Sequence, residues 1–461
     1  MSLLTQQIVA KQIEHTLQHL EKFLSLANVH MVDYFTKDVY CNFISEDIRC
    51  EAEIYGLKQA VEAIYSQQTE CLPTLNRYIK KCQELTINNT NICMSLEEFQ
   101  NELQKFECKN IPKLKLEMFM KPKKSHEVEI LSWVVSAIKH ISNTSHIIDI
   151  GDGKGYLSSL LALHYKIPVL GIDASPVNTN GAINRAKKLS KVWNGVVTHI
   201  KTTDTSINLY KQITKFVDEK IKFDKLIADV FLEYPDSIGL TGLHTCGNLA
   251  SSCLKIFNEN SSIKTICNIG CCYHLLTDEF EPQTEKNIYN RSQTGFPMSQ
   301  FLKNKNYAIG RGARMLASQS VERILNKNEH SSIIGMFYRA LFEIVIENTS
   351  NYKSSMERHV GRFRKKPVSF LDYVLKAAER INMPVLMSES EIENLFKNYE
   401  QRIDEMNFFY LVRCMLAPVI ESLILLDRLL YLLENEYTNT FMVQFFKPVI
   451  SPRCYGIVSI K

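Results

Sequence analysis

The chain has 461 residues, which is long enough for one large elaborated domain or two ordinary ones. Its 45% hydrophobic and 23% charged residues are typical of soluble globular proteins. The formal net charge of +4 is close to balance, so it neither demands nor excludes a polyanionic partner.

The 13 cysteines are odd in number and follow no regular spacing, which favours free thiols in a reducing compartment, the cytoplasm or the nucleus. The N-terminal residues are polar and charged throughout, so we expect no secretory signal. The longest apolar stretch is a poor membrane span, and we expect no membrane association, because four charged residues interrupt it: Arg413, Glu421, Asp427 and Arg428.

Residues 1–115 are predicted to form an N-terminal helical region, because apolar residues such as Leu17, Leu20 and Leu24 recur at spacings of three and four. Residues 86–93 are predicted to form a polar loop. Nothing in this region suggests chemistry, and we expect it to pack on the rest of the chain or to recruit a protein partner.

The pattern changes at the basic segment 121–124, after which Ser125 is a candidate N-cap and Glu127 places an acid in the first turn of a helix. Apolar runs at 146–150, 168–172 and 195–200 follow, with helical patterns between them. Strands that alternate with helices predict βαβ units and a parallel sheet.

Two further apolar segments, 238–243 and 263–269, continue the sheet, and a charged and polar insertion then occupies about 280–400. After it we predict a long helix over roughly 408–433 and two final strands, about 440–446 and 455–460, of which one is antiparallel at a sheet edge. The sequence therefore predicts an α/β domain over residues 116–461.

A glycine-rich turn closes the first predicted strand, with the order Asp149, Gly151, Gly153 and Gly155. A dinucleotide fingerprint would need glycine at Tyr156, so that reading is excluded. The spacing resembles the first motif of class I methyltransferases instead. Asp173, at the end of the second strand, is then a candidate for the cofactor ribose, and Asp204 for its adenine. A tight structural turn is the alternative interpretation of the glycines alone.

Histidines and cysteines follow the fourth and fifth predicted strands, and the carboxyl ends of neighbouring parallel strands meet at one sheet edge. The set is His244, Cys246, Cys271, Cys272 and His274. We favour a thiol-lined acceptor site in which a histidine orients or deprotonates the substrate. Metal ligation and plain packing beneath a pocket are the alternatives, and we expect no metal because the adjacent cysteines lack a C-x-x-C spacing.

Long motifs carry a resemblance to a known family. They are KKSHEVEIL (123–131), IDIGDGKGYLSSLLAL (148–163), GLHTCGNLASSCLKIF (242–257), GCCYHLL (270–276), GFPMSQFL (295–302), LAPVIESLILLDRL (416–429) and SPRCYGIVSIK (451–461). From about residue 115 onward the chain resembles the methyltransferase-like protein 25 family. The resemblance implies a class I methyltransferase with a Rossmann-like, seven-stranded, mostly parallel sheet and a family-specific insertion.

The resemblance also implies site residues. The cofactor would be S-adenosylmethionine, bound by Lys124, Asp149, Gly151, Gly153, Gly155, Asp173 and Asp204. The HTCG and CCYH segments are distantly similar to a family of tRNA 2′-O-methyltransferases, which implies that His244, Cys246, Cys272 and His274 act at the acceptor. Asn248 departs from the family, which usually has an acid there.

Basic segments with interleaved aromatic residues could hold phosphates and stack bases. They fall at 121–124, 185–191, 303–314 and 358–366, with Tyr307 and Phe363 among them. Solvated helix faces would show the same charge runs. We therefore expect an S-adenosylmethionine-dependent methyltransferase that acts on RNA. Protein or small-molecule acceptors are the alternatives, and a non-catalytic binding module is an alternative of another class.

Overall fold

The computed structural model describes residues 3–106, 120–196, 207–281, 294–326, 330–349 and 360–461. These residues divide into two compact units. The first consists of Met1–Leu20, Glu84–Ser320 and Pro418–Lys461, and the second of Glu21–Gln83 and Val321–Ala417. The predicted boundary at residue 115 lies outside the described residues, and both units draw on the region that we predicted to be N-terminal helices.

One eight-stranded sheet forms the centre of the first unit, with the order β1-β7-β8-β6-β5-β2-β3-β4. Its strands are β1 (Cys93–Ser95), β2 (His146–Ile150), β3 (Val169–Asp173), β4 (Tyr210–Thr214), β5 (Ile238–Cys246), β6 (Ile263–Cys271), β7 (Asn439–Gln444) and β8 (Tyr455–Ile460). All neighbouring pairs are parallel except the two that β8 makes. The predicted α/β class and mostly parallel sheet are confirmed.

Nineteen α-helices lie in the described residues. They are α1 (Leu3–Asn28), α2 (Val39–Phe43), α3 (Glu46–Tyr55), α4 (Leu57–Tyr65), α5 (Pro73–Glu84), α6 (Leu96–Gln104), α7 (Pro122–Ser142), α8 (Tyr156–Leu163), α9 (Pro176–Val196), α10 (Phe223–Phe231), α11 (Asn248–Glu259), α12 (Gln300–Asn304), α13 (Arg311–Ala317), α14 (Val321–Asn326), α15 (His330–Glu347), α16 (Phe370–Arg380), α17 (Glu389–Tyr399), α18 (Ile403–Cys414) and α19 (Ala417–Glu434).

The strand that follows β3 in the chain is β4, whereas we predicted a strand at 195–200, of which residues 195 and 196 are helical. Helix α9 continues to Val196, and residues 197–206 lie outside the described part of the chain. β4 is the last strand of the sheet and is only partly buried, so its sequence YKQIT has no continuous apolar run. An edge strand of this kind gives a weak hydropathy signal.

The sheet has one strand more than the predicted seven, because the N-terminal region supplies β1. This strand lies parallel to β7, within a stretch that we predicted to be helix and polar loop; a short 3-10 helix at Ile87–Asn89 precedes it. β8 is the antiparallel strand, but it lies between β6 and β7 and not at an edge. Three residues are too few to show the alternating pattern of a strand.

Two helix predictions also need correction. α7 begins at Pro122 with Lys121 as N-cap, so Ser125 is an interior residue. Proline favours the first helical position because it has no N–H to leave unbonded there. The predicted helix 408–433 is two helices, α18 and α19, and Pro418 stands in the first turn of the second. A proline cannot continue the hydrogen bonding of the preceding helix.

Buried apolar residues fill both faces of the sheet. Ile147 belongs to a core with Leu131 of α7 and Leu160 of α8, whereas its neighbour Ile148 is fully buried but lies outside that core. Successive side chains of a strand point to opposite faces. Helix α11 packs on β5 and β6. The strands are therefore covered by helices, as their apolar sequences require.

The second unit is helical. Tyr34 donates to the Glu405 carboxylate at 3.0 Å, and the buried Arg413 donates to the carbonyl oxygens of Leu26 and Ala27 at 3.2 and 2.8 Å. The hydrogen bonds of Arg413 satisfy carbonyls in the last turn of α1, which have no partner within the helix. These contacts join residues far apart in sequence, so residues 321–417, which hold most of the predicted insertion, fold as one body with the N-terminal segment 21–83.

One helical segment, Glu389–Glu434, is long and apolar enough by composition to cross a membrane. Within it, 89% of the most apolar stretch is buried inside the protein, as expected of a core helix.

Gly456 of β8 provides a test of the packing around the sheet. An added Cβ would lie 2.7 Å from the Phe445 ring, 2.8 Å from Ile269 and 3.0 Å from the Asn268 carbonyl oxygen. We expect Gly456→Ala to lower the free energy of unfolding by about 1–3 kcal/mol through overpacking. In the control Gly181→Ala, nothing lies within 4 Å and alanine should stabilise α9. Equal urea-unfolding midpoints for the two variants would contradict this packing.

Candidate active site

The glycine-rich turn leaves β2 and enters α8 through three residues in the left-handed region. Gly151, Gly153 and Gly155 have φ of 74°, 61° and 67°. Residues with a Cβ rarely adopt this conformation, so the alternate glycines are required by the backbone. A Cβ added to Gly151 would lie 3.6 Å from Leu249 at the start of α11. The turn is therefore next to the end of β5.

Asp149, the last but one residue of β2, is buried beneath this turn. Ser158 Oγ lies 2.9 Å from Asp149 Oδ2 and 2.6 Å from Asp152 Oδ1, and Tyr210 donates to the other oxygen of Asp152. Burial and the nearby Asp152 raise the pKa of the Asp149 carboxyl. No donor group among the described residues bonds to Asp149 Oδ1, and the carboxyl faces that of Asp152, so this oxygen can accept a hydrogen bond from a ligand.

Asp173 ends β3 and faces the same turn. Its carboxylate accepts hydrogen bonds from Gly153 N at 3.0 Å, Ser175 N at 2.8 Å and Asn178 Nδ2 at 3.1 Å. The predicted positions of Asp149 and Asp173 at the ends of neighbouring strands are therefore observed. Asp204 lies outside the described residues, and the reason for choosing it fails because it precedes the third strand and does not follow it.

The ends of β5 and β6 carry unusual backbone. The pairing of the two strands shifts register between Leu243 and Thr245, which makes His244 a bulge residue with φ of 67°. Cys272, directly after β6, has φ of 53°. Non-glycine residues in the left-handed region cost about 1–3 kcal/mol each and occur preferentially at ligand sites. Bulges have the same preference.

This backbone brings three thiols together. The sulfur atoms of Cys246 and Cys271 are 3.3 Å apart, and those of Cys271 and Cys272 are 3.5 Å apart. The hydrogen bond with Cys271 lowers the pKa of the Cys246 thiol to about 6, against partial burial and with help from Cys272 and both histidines. The pKa of Cys271 is raised by the same hydrogen bond and by burial. The lowered pKa favours ionisation of Cys246 over that of Cys271.

His244 is held by a carboxylate that sequence reasoning did not assign to the site. Its Nε2 is 3.0 Å from Glu127 Oε1, and Glu127 also contacts Lys124 Nζ at 2.8 Å and Ser451 Oγ at 2.7 Å. Burial of Glu127 opposes ionisation, but the hydrogen bonds of His244, Lys124 and Ser451 outweigh it and lower the pKa of the carboxyl. Glu127 therefore fixes the orientation of the imidazole.

His274 is exposed and its Nδ1 lies 3.3 Å from the Ser318 hydroxyl, so it is less constrained than His244. Behind it, Arg453 donates to Glu421 Oε1 at 2.6 Å and to the Ala317 carbonyl oxygen at 3.0 Å. These bonds tie the C-terminal turn to α19 and α13. Arg453 and Ser451 both belong to the SPRC motif, which was the signal that could have placed them near the site.

Some side chains in the basic segments that we predicted to bind RNA are buried or packed against other residues. Arg314 is buried between Asp278 and Glu281, with nitrogen–oxygen distances of 3.4 and 2.8 Å, and cannot bind phosphate as predicted. The Phe363 ring packs under the Arg380 guanidinium, 4.1 Å from the ring centroid. Arg358 lies outside the described residues. Charges in a folded chain pair with local carboxylates, which sequence spacing does not reveal.

The glycine turn, the two aspartates at successive strand ends and the single antiparallel strand define a class I methyltransferase fold. A protein family described as a methyltransferase domain matches residues 123–279, which include α7 and strands β2 to β6. The chain therefore carries a methyltransferase domain on an α/β, Rossmann-like class I fold.

Two relatives extend the similarity to nearly the full chain. The probable methyltransferase-like protein 25 of Homo sapiens is 28% identical over an alignment 593 positions long, which covers 98% of this chain and 96% of that protein. Its counterpart in Mus musculus is 28% identical over 583 residues with the same coverage. These relatives and the domain match support a methyltransferase family, and the predicted resemblance to the methyltransferase-like protein 25 family is confirmed.

Among solved structures, that of the methyltransferase domain of bacterial CtHen1-C is 16% identical and covers 39% of this chain and 82% of that chain, with a TM-score of 0.23. The similarity to methyltransferases rests on the domain match and on the two relatives of similar length.

The Glu127 network predicts a pH-dependent stability. The folded pKa of this buried carboxyl is below the unfolded value of about 4.3, so its stabilisation is present above that pH and is lost as the pH falls. We expect Glu127→Gln to lower the free energy of unfolding by about 3 kcal/mol at neutral pH. The difference from the wild type should shrink on acidification.

Urea unfolding at several pH values measures this difference. Glu97→Gln, at an exposed position of α6, is the matched control and should change the free energy of unfolding little at any pH. A Glu127→Gln deficit that stays the same from neutral to acidic pH would show that the carboxylate charge is not what stabilises the network.

Proposed function

We propose that the protein is an S-adenosylmethionine-dependent methyltransferase that acts on RNA. The observation that carries the cofactor assignment is the buried, unpartnered Asp149 Oδ1 beneath a turn of three left-handed glycines. A buried acceptor without a donor is costly unless a ligand satisfies it. The ammonium group of a bound amino acid is a suitable donor.

The residues of the turn fit the rest of this cofactor. Asp149 would accept from the methionine ammonium group, and Asp173 would accept from the ribose hydroxyls at the end of the neighbouring strand. Lys124 stands near this turn, with its Nζ 6.0 Å from the centroid of the Tyr156 ring that follows Gly155. When bound, S-adenosylmethionine supplies an electrophilic methyl group on a cationic sulfonium. The protein then needs to align the acceptor and, for some acceptors, to remove a proton.

His244 is our candidate for the residue that removes that proton. Because its Nε2 faces the ionised Glu127, a neutral imidazole keeps its proton on Nε2 and its lone pair on Nδ1. The carboxylate also stabilises the imidazolium that forms when Nδ1 accepts a proton, as in other histidine–carboxylate pairs. We assign His244 the role of general base, and Cys246, Cys272 and His274 the lining of the acceptor site.

The RNA assignment is supported by basic side chains that keep their exposure near the cofactor turn. Lys187, Lys188 and Lys191 lie on the exposed side of α9, and Arg185 of the same helix stacks over the Tyr156 ring at 4.0 Å. Exposed cations along one helix are suited to a nucleic-acid backbone. The distant resemblance of the HTCG and CCYH segments to tRNA methyltransferases supports the same class of acceptor.

Cofactor binding tests the first half of the proposal. We expect Asp173→Ala to weaken the binding of S-adenosylmethionine by about 10- to 100-fold, because the lost hydrogen bonds involve a charged group. Isothermal titration calorimetry measures the affinity, and Asp229→Ala, at an exposed position of α10, is the control. No heat of binding to the wild-type protein would indicate a non-catalytic binding module.

Transfer of labelled methyl groups tests the acceptor. Wild-type protein and labelled S-adenosylmethionine are incubated with extract from cells that lack the protein, and label is counted in RNA, protein and small-molecule fractions. We expect label in RNA. His244→Gln should bind the cofactor normally but transfer roughly 100- to 10,000-fold more slowly, as for loss of a general base. Label confined to protein or small molecules would overturn the RNA assignment, and undiminished transfer by His244→Gln would remove that base.

A further inference from the structure

The three thiols at the ends of β5 and β6 have the arrangement of a ligand set. The Cys246, Cys271 and Cys272 sulfur atoms all lie within 4.8 Å of one another, and two of the separations are 3.3 and 3.5 Å. Two adjacent residues of a strand point to opposite faces. Here the left-handed backbone of Cys272 turns its side chain back toward Cys271. An unfavourable backbone conformation at Cys272 thus brings the sulfur atoms together.

The spacing suits a tetrahedral metal better than a disulfide. Zinc–sulfur bonds of about 2.3 Å in tetrahedral geometry place ligand sulfurs about 3.8 Å apart, a little farther than the observed separations of 3.3 and 3.5 Å. A disulfide would need two of the sulfurs at about 2 Å and would leave the third thiol unused. Thiolates are soft ligands that select zinc over magnesium or calcium. Our expectation of no metal came from the adjacent positions of Cys271 and Cys272 in the sequence, and the folded backbone removes that objection.

A buried cation behind the cluster is a second, independent observation. Arg428 of α19 is fully enclosed, and a Cβ added to Gly270 would collide with its guanidinium. Two of its nitrogens, Nε and Nη2, have no hydrogen-bond partner among the described residues. The adjacent Asp427 carboxylate accepts from Met298 N at 2.7 Å and Ser299 N at 2.9 Å, so it is already used.

A buried guanidinium needs a nearby negative charge. Three thiolates on one divalent zinc carry a net charge of about −1, by simple addition of the charges of ligands that must be deprotonated to bind. Arg428 is close enough to Cys271 for an electrostatic interaction between the guanidinium and the cluster. Arg428 already has the Asp427 carboxylate and the Tyr273 ring near it, and a negatively charged thiolate cluster would add a third partner.

We propose that Cys246, Cys271 and Cys272 bind one zinc ion whose fourth position is open to the methyl acceptor. Zinc sites with three protein ligands and an open position are typical of catalytic sites, whereas structural sites are closed by a fourth ligand. Cys246 is exposed to solvent, which provides access to the open position. The role of the ion, to hold and acidify the acceptor atom, rests on the proposed methyl transfer; the binding of zinc does not.

Elemental analysis of the full chain, purified under reducing conditions without chelator, tests the binding. We expect about one zinc per chain in the wild type and in the control Cys50→Ser, at an exposed position of α3. Cys246→Ser and Cys272→Ser should each lose the metal. Exchange with cobalt should give a thiolate-to-cobalt charge-transfer band in the wild type that both variants lack.

Calorimetric binding of S-adenosylmethionine to each variant shows that it is folded, and it separates the two proposals. Zinc without cofactor binding would leave the metal site in place and remove the proposed function. A wild-type protein that binds the cofactor but contains no zinc, or that keeps its zinc in both cysteine variants, would overturn the metal site. A Cys246–Cys271 disulfide found by mass spectrometry in place of the metal would overturn it as well.

Discussion

Parallel pairing of β2 with β3 and β5 is the constraint on which the rest of the site depends. Parallel strands end at the same edge of a sheet, so the residues that follow them meet there although they are far apart in sequence. This end of the sheet carries Asp149, Asp173 and Cys246, although the first and the last of them are separated by 97 positions in the sequence (246 − 149). The hydrogen bond from Gly153 N to the Asp173 carboxylate joins two of the strand ends directly.

Buried charged groups surround these strand ends, and they differ in how many partners they have. Glu127 is compensated by Lys124, His244 and Ser451, so it stays ionised and holds an imidazole in one orientation. Asp149 and Arg428 each keep buried polar atoms without partners among the described residues. A buried polar group with unused bonding capacity needs an explanation, and at these strand ends a bound ligand would supply one. The cofactor and metal proposals both follow from this distinction.

The C-terminal segment connects the sheet to the site. β8 lies antiparallel between β6 and β7, and the turn before it brings Ser451 to Glu127 and Arg453 to Glu421. Tyr273, beside the cysteines, donates to the same Glu421 oxygen at 3.0 Å. A few buried polar contacts therefore hold the last strand against the acceptor side of the site. This explains how a motif near the chain end contributes to a site whose residue Tyr273 lies 180 positions earlier than Arg453 in the sequence (453 − 273).

The sequence by itself determined the α/β class, the strands β2, β3, β5 and β6, and the positions of Asp149 and Asp173, because buried strands are continuous apolar runs and glycine spacing is local. Only the tertiary structure decided the edge strands β1 and β4, the Glu127–His244 pair, the pairing of Arg314 and the convergence of three sulfurs. Edge strands lack a strong apolar pattern, and contacts between distant residues depend on register and bulges that a linear pattern does not encode.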